Sequence, residues 1–554
     1  MVRPPVSLRI TAAAVLVLGA VLEFRPAHAY VALMAGQAAR PLNGTFNNVP
    51  VLHSNQPEEV DGPGILISTA PGYGIAAETG QPLRNAAFTF NGEFGLHLHH
   101  KYFPANRRSI STSGRRPELT LAAILINPGI RPVHIRFETG AVRNSFEAPY
   151  LANNLMGVKP LGPRPWNTGP GDATAVQMLR RRLDSRLSDE ITIPARGRIV
   201  LFNTQLPALG LANALLRGRS DGPFQVAVVA GITGDSPAEL FAILDSGRLA
   251  PGRVYLNRIQ EIQNRTIFSR VGGVALGDTY SATLQHNLST QGPLHVPFTS
   301  TNRHHFGTRE VQVNPLAIRM DDSSLDNIGT YGVRFDVDLQ LQGNGPYELV
   351  MSHPSPSGGR HFTAFRGSIE IETPQGRNDV HVGLRSGQSL SLASLNLQPG
   401  VVNPVRVSMV YPADATPGHL LSVVPASQLA RVQERERQLE IARSAPAQPP
   451  RPAAPPPELT AVPPPAPVNE PMPFNDSVPA TPPPPAPPAR RTPASSDGIL
   501  RPPANLMGTP PRTPARPPWL VAPPPPPTTG NDYLDRYRRA IEEQRRLMQG
   551  WPQP

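Results

Sequence analysis

Residues 333–342 read VRFDVDLQLQ, with Val333, Phe335, Val337, Leu339 and Leu341 alternating with Arg334, Asp336, Asp338, Gln340 and Gln342. Side chains of an extended chain point to opposite faces in turn, so this pattern predicts a strand with one buried and one wet face. A helix would scatter the same apolar set around its circumference. The rhythm recurs from about Pro41 to Val424. SIEIE and DVHVGL flank the turn-rich TPQGRN, which predicts a hairpin over residues 368–384. LTLAAILI, NPGIRP and VHIRF predict a second hairpin over residues 119–137. The helical intervals that an α/β chain needs between its strands are missing. The expectation is a mainly β protein of two antiparallel β-sandwich-like domains, residues 30–270 and 271–425, divided where SRVGGVALGDTY interrupts the alternation near Arg270.

Two helices interrupt this pattern. GDATAVQMLRRRLD, residues 171–184, carries Ala175, Met178, Leu179 and Leu183 at helical spacing behind Asp172, which reads as its N-cap. Residues 426–443, containing SQLARVQERERQLEIAR, predict a charged helix leaving the last strand.

The two ends of the chain speak to location. Arg3 and Arg9 precede the apolar run TAAAVLVLGAVL, and AHA supplies small residues before Tyr30. This is the pattern of a signal peptide, residues 1–29, cleaved after Ala29. The run is about a dozen residues, shorter than the roughly 20 needed to cross a bilayer, so no transmembrane span is expected after its removal. With 0 cysteines the chain can form neither disulfides nor thiolate metal sites. The expected localisation is periplasmic or secreted. Roughly half of the 70 prolines fall between Pro446 and Pro527. Proline lacks the amide donor and fixes φ, so residues 444–530 predict a disordered, extended linker. Its full reach is on the order of 250 Å at the polyproline rise. Beyond it, NDYLDRYRRAIEEQRRLMQGW predicts an amphipathic C-terminal helix over residues 531–551, with Leu534, Tyr537, Ile541 and Met548 on one stripe. Its acids nearly balance its bases, which favours docking to a protein partner or self-association over lipid.

The net charge is +11, and apart from Lys101 and Lys159 every basic residue is arginine. These residues are spread along the chain rather than clustered, so a nucleic-acid partner is not expected.

Chemistry is sparse. In FGLHLHH, alternation sends Phe94, Leu96 and Leu98 to one face of a strand and His97 and His99 to the other. Two histidines at i,i+2 are candidate metal ligands, but no third ligand stands at a familiar spacing and no HExxH is present. Hydrogen-bonded inter-strand histidines are the expected reading, with no metal and no cofactor. His134 and the pair His304–His305 lie far away in sequence. MDDSSLDN offers Asp321, Asp322 and Asp326 to calcium, but lacks the glycine and terminal glutamate of an EF-hand loop. Glu58, Glu59 and Asp61 are adjacent in sequence, which is not the facing carboxylate pair of a glycosidase. No GxSxG elbow or phosphate-binding loop occurs. The long aromatic segment 148–172 contains Tyr150 and Trp166, candidate stacking residues for a glycan.

PLNGTFNNVPVLHSNQPEEVDGPGILISTAP, FNGEFGLHLHH, ITIPARGRIVLFNTQLP, NIGTYGVRFDVDLQL and VYPADATPGHLLSVV occur in this order between about Arg40 and Val424. Together they resemble a cyanobacterial envelope family, the domain-of-unknown-function family numbered 3370. The resemblance implies a secreted envelope protein and supplies no catalytic residues. The functional expectation is a non-enzymatic structural or interaction module whose partner is an envelope protein or peptidoglycan. The alternative is a glycan-binding or glycan-active protein using the 148–172 loop.

Overall fold

The computed structural model describes residue 33 and residues 38–105, 117–150, 156–162, 168–264, 270–354 and 362–444. The expected signal peptide, proline-rich linker and 531–551 helix, together with Trp166, lie outside the described residues.

The alternating segments form strands, and most of these strands pair antiparallel. An eight-stranded sheet runs in the order Glu190–Ile193, Val133–Asn144, Leu211–Ser220, Glu93–Tyr102, Pro50–Ser54, Gly272–Leu276 and Leu316–Arg319, with Glu59–Val60 also beside Glu93–Tyr102. Facing it is a four-stranded sheet of Arg198–Pro207, Glu118–Ile126, Gln225–Ile232 and Gly64–Ser68. Their inner faces share one apolar cluster, in which Leu52, Phe94, Leu96 and Leu98 meet Leu121, Ile124, Val226 and Val228. A seven-stranded sheet is built from Thr45–Phe46, Thr279–Asn287, Arg334–Gln342, Asn403–Val410, Thr363–Thr373, Gly376–Arg385 and Gly157–Pro160. It encloses a second cluster with the four-stranded sheet Leu294–Phe298, His419–Pro425, Gly345–Ser352 and Ser389–Leu397. The protein is therefore mainly β, with two sandwich-like layered cores. Each fully buried Phe or Leu in them stabilises by about 1.5–3 kcal/mol.

Val337, Leu339 and Leu341 are wholly buried in the second core, as their alternation predicts. The chain also exchanges strands between the layers. Gly272–Leu276 and Leu316–Arg319, downstream of Arg270, complete the first large sheet. Thr45–Phe46, near the start, pairs with Thr279–Asn287 of the other. Among the strands of the described residues three pairings are parallel: Thr279–Asn287 with Arg334–Gln342, and Pro50–Ser54 and Glu59–Val60 with Glu93–Tyr102.

The 368–384 hairpin is present, closing at Thr373 opposite Gly376. The second expected hairpin is not. Glu118–Ile126 lies in the small sheet between Arg198–Pro207 and Gln225–Ile232, whereas Val133–Asn144 lies in the large sheet facing it. NPGIRP thus crosses the sandwich. Its two prolines cannot donate to a ladder, and the Asn127 amide ties the crossing to the carbonyl oxygens of Arg131, Ile193 and Pro194. The first helix is also shorter than its periodicity suggests, Pro170–Leu179, because Arg181 turns to φ 53° and Leu183 bridges to Gly140. Gly169 is its N-cap. Asp172 instead accepts hydroxyl bonds from Thr168 at 2.6 Å and Ser368 at 3.0 Å, with His381 at 3.2 Å, pinning the helix to the Thr363–Gly376 hairpin region. The charged segment after Pro425 forms the helix Ala426–Ser444, whose Leu429 packs with Leu33, Val350 and Val424.

Candidate functional site

The Glu93–Tyr102 strand has Phe94, Leu96 and Leu98 in the first core. Its pleat must therefore present His97, His99 and Lys101 on the opposite face. That face is not wet: His97, His99 and Lys101 are 1%, 3% and 3% exposed. Tyr331 lies against it, its hydroxyl donating to the Leu98 carbonyl at 2.9 Å. Asp414, from the turn between the last two strands, reaches the same face and sits in the left-handed region at φ 63°.

The side chains close into one polar cluster. The Lys101 ammonium donates to Glu58 Oε1 at 2.7 Å and lies 2.8 Å from Asp414 Oδ1. His99 Nε2 stands 3.8 Å from Glu58 Oε1 and 3.7 Å from Asp414 Oδ1. Its Nδ1 donates to Asn213 Oδ1 at 2.6 Å, since an amide oxygen only accepts. Arg270 approaches the other Glu58 oxygen at 3.9 Å, and the Tyr150 hydroxyl donates to Asp414 Oδ2 at 3.0 Å. Two carboxylates thus face two permanent cations. Burial alone would raise both acids, but Lys101 and His99 outweigh it at Asp414 and hold it at about 2. Lys101, Arg270 and His99 likewise overcome burial at Glu58 and hold it well below the usual carboxylate range. Both acids are ionised at neutral pH.

Glu58, His99 and Asp414 bring one donor atom each within 4.8 Å of one another, so they form a candidate metal centre among the described residues. Ligands on one zinc ion would all lie about 2.0–2.2 Å from it. The Lys101 ammonium already sits between the two carboxylates, within hydrogen-bond distance of both, and supplies the positive charge an ion would bring. The arrangement fits an internally compensated ion network better than a metal cage.

His97 belongs to a different environment from His99. It meets the His53 ring edge-on at 4.9 Å, and Gly332 backs onto it. A Cβ at Gly332 would fall 2.2 Å from His97 Nδ1, and Gly332 adopts φ +77°, so this approach requires glycine. Burial lowers His97 to about 4 and His100 to about 3, and takes His53 well below its ordinary value. These three imidazoles are neutral at pH 7. Tyr150 is half-buried, with the Arg366 guanidinium 4.5 Å over its ring and Gly169 pressed against its edge. The two sequence candidates that had no connection, the histidine strand and the 148–172 loop, therefore meet at Asp414. In the acidic MDDSSLDN stretch, Asp322 accepts through both oxygens from the fully buried Arg253, and Asp321 pairs with Arg84. Asp414, Asn213, Arg270 and Tyr331 carry no local signal that could have placed them here. Lys101 did carry one, as a lysine at i+2 from His99 on a strand predicted to bury its other face.

A family model described as "Protein of unknown function (DUF3370)" matches residues 37–425. The chain belongs to this family. No curated protein matches the sequence. The DUF3370 region contains every residue of the polar cluster, from Glu58 to Asp414, and both cores. It stops where the Ala426–Ser444 helix begins, so the proline-rich segment and the C-terminal residues are additions to the family unit.

Proposed function

We propose that the protein is exported to the periplasm or cell exterior and acts there as a non-enzymatic structural or interaction module of the envelope. The observation that carries this reading is the closure of the cluster richest in chemistry. Its acids, base and cations are partnered with one another beneath Tyr331 rather than aimed at an opening. Such a network fixes how the histidine strand meets the Asp414 turn; a catalytic acid or base must instead reach a substrate proton. The basic residues, apolar run and AHA motif before Tyr30 support export. Among the described residues no helix is long and apolar enough to cross a membrane.

In this reading the β body is a rigid head. The proline-rich stretch spaces it from residues 531–551, which dock to an envelope protein or to another copy of the chain. The packing of Tyr150 between Arg366 and Gly169 favours a structural role for the 148–172 loop over sugar stacking. The test is envelope fractionation with crosslinking and mass spectrometry, on the full chain and on a chain lacking residues 531–554. The mature protein is expected to start at Tyr30, crosslink to envelope components and lose them on truncation. An uncleaved cytosolic protein would overturn export. Turnover of peptidoglycan fragments by purified protein, abolished in His99→Ala, would overturn the non-enzymatic role.

A further inference from the structure

At one end of the second small sheet, three segments bring histidines together. His419 opens the His419–Pro425 strand, and His353 follows Gly345–Ser352, whose last pair is Ser352 with Leu420. His304 lies in the loop after Leu294–Phe298, whose Phe298 pairs with His419. The His353 ring centroid is 5.2 Å from that of His419 and 6.2 Å from that of His304. We propose that His304, His353 and His419 form a binding site for one divalent transition-metal ion of the zinc and copper class.

The ring nitrogens carry the argument. His353 Nδ1 donates to the Pro354 carbonyl at 3.0 Å, which leaves the Nε2 lone pair. That Nε2 is buried with no partner at hydrogen-bond distance among the described residues, although the Pro417 carbonyl also acts on the ring. His419 Nε2 lies 3.2 Å from the Tyr411 hydroxyl, and its Nδ1 is the buried nitrogen without a partner. The Tyr411 hydroxyl also bonds the Thr299 side chain. In the tautomer with Nε2–H donating to that hydroxyl, the His419 lone pair falls on Nδ1, the nitrogen an ion would select. In both rings, then, the nitrogen opposite the outer hydrogen bond is the one left open. Histidines that ligate metals show this pattern, because the outer bond sets tautomer and orientation.

Two imidazoles on a tetrahedral ion, with bonds of about 2.0–2.1 Å, place their centroids roughly 5 Å apart. The His353–His419 pair already meets this spacing. His304 is the wider and more exposed member, so it moves inward on binding. Its seat is prepared: Gly418 adopts φ +101°, and a Cβ there would lie 2.5 Å from His304 Cβ. Burial holds His353 at about 4, against the raising effect of the Pro354 and Pro417 carbonyls, and holds His419 well below its ordinary value. Both are unprotonated at neutral pH. Phe362 and Phe365 wall the cluster at 5.6 and 5.3 Å from His353 and His419. An all-imidazole set suits zinc or copper rather than calcium or magnesium.

The test uses tag-free full-length protein, stripped with chelator and titrated with ZnCl₂ or CuCl₂, with stoichiometry read by elemental analysis after desalting. About one ion per chain is expected, with a metal-dependent rise in melting temperature. His304→Ala should weaken binding at least tenfold and leave the metal-free melting temperature unchanged, since this ring is the most exposed of the three. In the copper form, electron paramagnetic resonance should show coupling to imidazole nitrogens. His99→Ala should retain the ion. Binding by wild type of no ion at micromolar metal, equal binding by His304→Ala, or loss in His99→Ala would each overturn the proposal.

Discussion

Two buried polar clusters in this fold solve the same problem in opposite ways. Around Lys101, every carboxylate meets a cation: Glu58 and Asp414 face Lys101 and Arg270, with the His99 ring between them. Around His353 no carboxylate takes part among the described residues, and neutral imidazoles lie among Phe362, Phe365 and Tyr411 with one nitrogen each of His353 and His419 unbonded. The first cluster balances its charges from within, with the Asn213 amide nitrogen left over, and the second keeps lone pairs in reserve. Burial of polar groups therefore does not by itself mark a site; what separates the two is whether partners are already supplied.

The largest expected effect comes from unbalancing the charged cluster. Lys101→Met leaves two buried carboxylates facing only Arg270 and His99, and should cost about 3–5 kcal/mol in denaturant unfolding. His304→Ala in the neutral cluster should cost under about 1 kcal/mol. Equal losses for the two would erase the contrast.

The clusters should also separate by pH. His353 has a folded value of about 4 against 6.5 for the free side chain. The unfolded chain therefore binds the extra proton between these values, and the stability is full above pH 6.5 and lost as pH falls toward 4. The loss is about 3 kcal/mol by the conversion of about 1.4 kcal/mol per unit. Asp414, held at about 2, keeps its contribution until pH falls below its ordinary 3.8. Urea melts at pH 7, 5 and 3.5 should show His353→Gln losing less than wild type between pH 6.5 and 4, and matching its slope below. Parallel curves throughout would contradict the assignment.

These sites differ in how much the sequence reveals. Alternation placed Phe94, Leu96 and Leu98 inward and His97 and His99 on the other face, and the TPQGRN turn marked its hairpin. Both signals are local. Alternation does not say whether a second layer covers the polar face, so the burial of His99 could not be read from it. Nor does a turn motif say whether the chain returns in the same sheet: NPGIRP crosses to the facing one. Asp414 joins Lys101 only because the turn after Asn403–Val410 folds over the histidine strand, and His304, His353 and His419 converge through strand register alone. Contacts made by topology across hundreds of residues leave no spacing to find.

Smaller changes sharpen the contrast further. Gly332→Ala forces a Cβ toward His97 at φ +77°, and should cost about 1–3 kcal/mol. A melting temperature unchanged from wild type would show that His97 can retreat. Tyr150→Phe removes one bond to Asp414 in a half-buried position, and should cost about 1 kcal/mol. No measurable loss in the same melts would detach the 148–172 loop from the network.

The central claim, that the Lys101 cluster is a charge-compensated structural tie, is tested most directly by a double-mutant cycle between Lys101→Met and Asp414→Asn. Removing both partners leaves Glu58 beside Arg270 in balance. The double variant should therefore be more stable than the summed single losses predict, by about 2–3 kcal/mol. Additivity within about 0.5 kcal/mol would show that the two residues act independently and would contradict the account.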